Sequence, residues 1–82
     1  MDADVSQLHQ ELALQRFDRA RVLVARVTER DRQKALLLQA LVLFHKGRYN
    51  RSLEYLRKLE AQGFQHAELP ACLARIQLAW GN

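Results

Sequence analysis

The residues that most often punctuate or cross-link a fold are scarce in this chain. Cys72 is the single cysteine among 82 residues. No internal disulfide can form, and a reducing, cytoplasmic setting is the expectation. Pro70 is the one proline, and the three glycines stand isolated at 47, 63 and 81. No glycine-rich phosphate-binding loop exists. Period-two alternation of useful length is absent, which argues against strands. The longest apolar runs, Ala35 to Leu38 and Ala40 to Phe44, are far too short to span a bilayer. The opening residues Met1-Asp2-Ala3-Asp4 are acidic where a secretory signal is basic, and no apolar run follows them. His9, His45 and His66 lack metal-ligand spacing, and only Cys72 is available to join them. Carboxylates such as Glu54 and Glu60 have no evident neighbour to tune them. The expectation is a non-enzymatic protein without metal or cofactor.

What remains is helix-forming. Hydrophobic residues make up 49% and charged residues 27%, the balance of a folded domain, and Leu, Ala, Arg, Gln and Glu dominate. Apolar spacings of three and four predict five helices: about Ala3 to Leu14, Phe17 to Thr28, Asp31 to Lys46, Tyr49 to Ala61 and Ala67 to Trp80. Pro70 is tolerable only in a first turn, so Glu68 or Leu69 is the alternative start of the fifth. The third helix is apolar around much of its girth, which marks it as central. The net charge of +4 is concentrated between Arg16 and Lys34. Seven basic residues (Arg16, Arg19, Arg21, Arg26, Arg30, Arg32, Lys34) meet three acids there (Asp18, Glu29, Asp31). Such a segment is ordinarily a solvated helix face; nucleic-acid binding is the minor alternative, with Phe17 as its only nearby stacking residue.

The strongest signal is internal. Arg16-Phe17-Asp18-Arg19-Ala20 matches Arg48-Tyr49-Asn50-Arg51-Ser52, an offset of 49 − 17 = 32 residues. At that offset Val24 meets Leu56 and Val27 meets Leu59. A period in the low thirties with two helices per unit predicts a stack of helical hairpins. Gly47-Arg48-Tyr49, followed by Ser52, Leu56 and Leu59, resembles the tetratricopeptide repeat. Gln15-Arg16-Phe17, followed by Ala20, Val24 and Val27, is a second copy. The copies depart from that family in having Gln15 where Gly is usual, and in lacking an early aromatic and a closing Pro. The third unit aligns Cys72 with Ala40 at offset 32, or Gly81 with Gly47 at offset 34. The resemblance implies one domain over 1–82, an all-α, right-handed stack of antiparallel hairpins of about two and a half repeats.

In tetratricopeptide folds the first helix of each hairpin lines a concave face. Carried over, the inner positions are Val5, His9 and Leu12; Leu37, Leu41 and Phe44; Leu69, Leu73 and Ile76. Eight of these nine are apolar, a lining suited to a partner's amphipathic helix. The alternative is that this stripe is the hairpin core, because the supposed core positions Asp4, Glu11, Glu68 and Arg75 are polar. Trp80 is a further candidate contact, against a partner or folded over the fourth helix.

Leu69-Pro70, Leu73-Ala74 and Leu78-Ala79-Trp80-Gly81-Asn82 are also similar to the third hairpin of the tetratricopeptide co-chaperones of type III secretion needle subunits. Cys72 stands where that family has an aromatic. The resemblance implies a cytoplasmic chaperone that pairs with a small helical protein and grips the needle subunit's amphipathic C-terminal helix. A scaffold subunit of a larger assembly is the competing expectation.

Overall fold

Five helices form nearly all of the computed structural model, which describes residues 3–80. They are α1 (Ala3–Ala13), α2 (Phe17–Arg30), α3 (Arg32–His45), α4 (Tyr49–Ala61) and α5 (Glu68–Trp80). No strand occurs among the described residues. Loops of one to six residues join consecutive helices, short enough to make them pack as hairpins.

The internal repeat reappears in the backbone. After α1 and after α3 the chain makes the same turn. The N–H of Arg16 donates to the Glu11 carbonyl (2.8 Å), and that of Arg48 to the Leu43 carbonyl (2.9 Å). One residue earlier, Gln15 donates to Leu12 and Gly47 to Phe44, both at 3.0 Å. This six-to-one, five-to-two pattern is the Schellman motif, which needs one left-handed residue. Gln15 supplies it at φ 57° and Gly47 at φ 78°. The residues that follow, Arg16 and Arg48, share φ −91° with ψ 67° and 68°. A third such turn ends α4 at Gly63, φ 75°.

Between α2 and α3 there is no loop to speak of. Asp31, at φ −154°, ends one helix and caps the next, its carboxylate accepting from the Lys34 N–H at 3.1 Å. This is why α2 continues to Arg30, two residues beyond the expected Thr28, and why Asp31 precedes α3 rather than opening it. At the other long connection His66 Nδ1 accepts the Glu68 N–H (3.0 Å) at the start of α5, and Phe64 stacks on the His66 ring.

α3 is central, as its girth of apolar residues predicts, and packs on all four other helices. Leu37, Leu38, Ala40 and Leu41 are fully buried, joined by Leu8 and Val27 from the first hairpin, Leu56 and Leu59 from α4, and Ile76 from α5. Truncating one such leucine to alanine costs about 2–5 kcal/mol, a large part of a small domain's stability. The small positions explain how closely the helices approach. Ala20, Ala40, Ser52 and Cys72 have no exposed surface, and Ser52 Oγ donates to the Ala40 carbonyl at 2.7 Å. Burial pushes the Cys72 thiol up to about 11, so it packs as a small neutral group. The burial pattern favours the 32-residue register for α5. Leu69 and Cys72 then match Leu37 and Ala40, all buried, whereas offset 34 would match the exposed Ala74 and Arg75 to the buried Ala40 and Leu41.

The radius of gyration is 11.8 Å, against about 12 Å for a globular domain of this length. The stack is therefore wound as tightly as a globular domain of its length.

Candidate functional site

The inner stripe is where the structure departs most from the sequence-based groove. Val5, Leu12, Leu37, Leu41, Leu69 and Ile76 are all buried, none more than 6% exposed. These six are core. The alternative reading of the stripe, as hairpin core, describes them. The physical reason is the tight winding: α1 and α5 both pack on α3 and come close enough to touch each other. His9 Nε2 of α1 lies 2.9 Å from Glu68 Oε1 of α5, and Arg75 Nη1 donates to the same oxygen at 3.0 Å. His45, at the end of α3, faces this cluster. Its pKa is held below the usual 6.5, first by desolvation and then by the charges of His9 and Arg75. Glu68, which looks misplaced in the helical pattern, thus ties α5 to α1 through His9, and Arg75, further along α5, holds the same carboxylate. No sequence signal could pair His9 with Glu68, because 59 residues separate them.

The remaining candidates, Phe44, Leu73 and Trp80, stay partly open. Phe44 and Leu73 are half-buried and Trp80 is 40% exposed. An aromatic chain links two of them. The Phe44 and Tyr49 rings lie 5.5 Å apart, and Trp80 meets Tyr49 edge-on at 5.8 Å. Trp80 is therefore folded against the start of α4 while keeping one side free.

That free side belongs to a groove between α4 and α5 of about 460 Å³. From α5 come Leu73, Ile76, Gln77 and Trp80, at the i, i+3, i+4, i+7 spacing of one helix face. From α4 come Leu53, Arg57 and Glu60, one helical turn apart. The middle is hydrocarbon and indole; Arg57, Glu60 and Gln77 are exposed. Leu53, Arg57 and Glu60 are not among the partner contacts that the sequence points to, since only the packing of α5 on α4 makes them neighbours of Trp80.

The basic segment is divided among several surroundings. Arg19 and Arg26 border a pocket shared with α1, Arg21 borders one shared with α3, and Arg30 and Lys34 pair with Asp4 at 3.0 and 2.9 Å. Those two partners hold the Asp4 carboxyl below its usual range, Lys34 most strongly. Arg19, Arg26 and Arg30 thus lie on the α1 side of α2 and Arg21 on its α3 side. No helix among the described residues is long and apolar enough to cross a membrane.

Comparison with known proteins adds no name to this geometry: no family model, no curated protein and no solved structure matches the chain.

Proposed function

We propose that this protein binds a partner's amphipathic helix in the groove between α4 and α5, as a chaperone or adaptor. The observation that carries the reading is the Leu53–Leu73–Ile76–Trp80 lining beneath an exposed rim of Arg57, Glu60 and Gln77. In this stack a first helix is covered by the second helix of its own hairpin: α2 lies on α1 and α4 on α3. By the repeat, α5 corresponds to a first helix, and its Leu73 and Trp80 leave apolar surface open beside α4. A helix with apolar residues at i, i+3 or i+4, and i+7 fits such a groove. An acid opposite Arg57 and a base opposite Glu60 would set its register.

The resemblance of residues 69–82 to needle co-chaperones makes a needle-type subunit, with its amphipathic C-terminal helix, the first client to assay. Trp80 is the only tryptophan, so intrinsic fluorescence reports on the groove directly. Titration with a peptide of that helix should shift Trp80 emission to the blue and saturate. Leu73→Glu should weaken the binding by about tenfold or more, the equivalent of one lost apolar contact or one desolvated charge. Emission that does not respond to the peptide would remove the support for this reading. Exchange of bound peptide with free competitor separates a client holder from a permanent scaffold.

A further inference from the structure

A second feature lies at the other hairpin. Glu11 sits on the face of α1 turned towards α2, only 9% exposed, and its Oε2 is buried without a hydrogen-bond partner among the described residues. A buried carboxylate oxygen with no donor is costly. The fold does not require an acid there: 32 residues on, the equivalent position is the half-buried Leu43. Glu11 lines a pocket of about 310 Å³ between α1 and α2. Val22 and Leu23 give the pocket an apolar wall, and Val22 is 52% exposed. Arg19 and Arg26, two helical turns apart on α2, border it as well, yet neither satisfies Oε2.

We propose that this pocket receives a basic side chain, arginine above all, from a partner protein. A guanidinium presents paired donors to a carboxylate, and its methylene stem would lie along Val22 and Leu23. Gln7 and Arg26, both exposed, turn aside to admit it. The bordering Arg19 and Arg26 then select the surroundings of that residue: acids flanking the inserted base pair with them, while a purely basic segment is repelled. The pocket shares no residue with the α4–α5 groove, so the two sites stand or fall separately.

The probe is N-acetyl-arginine amide, compared with its neutral isostere N-acetyl-citrulline amide, added to the uniformly labelled chain. The readouts are the Glu11 side-chain carboxyl carbon and the amides of Gln7 and Val22. Saturable shifts with the arginine probe are expected, with binding about tenfold weaker for citrulline, as the loss of one charged hydrogen bond requires. Glu11→Gln should lose the preference for arginine. Equal responses to the two probes, a preference that persists in Glu11→Gln, or no saturable shift would overturn the proposal. If Glu11→Gln does not fold, the two probes on the unaltered chain decide it.

Discussion

Gln15 holds a left-handed backbone at φ 57°, where its counterpart Gly47 sits at φ 78°. For a residue with a Cβ this conformation costs about 1 kcal/mol relative to glycine. The turn survives because its two hydrogen bonds and the packing on either side leave the chain no other route. Gln15→Gly should therefore stabilise the protein by about 1 kcal/mol, seen as a higher urea midpoint at unchanged slope. Gly47→Ala should destabilise it by a similar amount. An added Cβ at Gly47 meets nothing within 4 Å, so backbone strain alone sets the penalty. The turn itself was legible: Arg16-Phe17 and Arg48-Tyr49 mark it at the repeat spacing. The repeat also matches Ala20 with Ser52 and Ala40 with Cys72, and all four are fully buried. It could not reveal that Ser52 would bond the Ala40 carbonyl, since that depends on the distance between two helix axes.

At the scale of the elements, the junction of α2 and α3 is the most economical connection in the stack. One residue, Asp31, closes one helix by donating its N–H to the Val27 carbonyl (2.7 Å) and opens the next by accepting from Lys34. Asp31→Ala should cost about 1 kcal/mol by removing that side-chain cap. Amide exchange at the start of α3 should speed up more than exchange in α4, which checks that the damage is local. Helix number, order and most boundaries were readable from apolar spacing, because each helix buries one stripe and that stripe has a period. The boundary at Asp31 was not, because a single residue can satisfy two helix ends only in a geometry that spacing does not encode. The opposite connection is looser. Six residues separate α4 from α5, and α5 leaves a groove beside α4.

For the molecule as a whole, the decisive fact is closure. The nine inner positions form a stripe in the sequence, and a stripe fits a groove and a core equally well. Which one results depends on the winding of the stack, a property of all five helices together. Here α1 and α5 meet through the side chains of His9 and Glu68, and most of the stripe is core. His45 makes the closure sensitive to acid. Its pKa lies below the unfolded value of about 6.5, so the unfolded chain binds more protons once pH drops through that value. Stability should fall as pH drops below about 6.5, and the contribution is fully present above it. The urea midpoint should decline between about pH 7.5 and 5.5, and His45→Gln should flatten that part of the decline.

The most direct test of the α4–α5 groove is an amide-shift titration of the labelled chain with a peptide of a needle-type subunit's amphipathic C-terminal helix. The expected result is a saturating set of shifts at Leu53, Arg57 and Glu60 on α4 and at Leu73, Gln77 and Trp80 on α5, with Val5, Leu12, Leu37 and Leu41 unmoved. Shifts centred on those four inner residues instead would mean that the stack opens and the client enters its core. That result would contradict a closed protein that binds its partner at the groove.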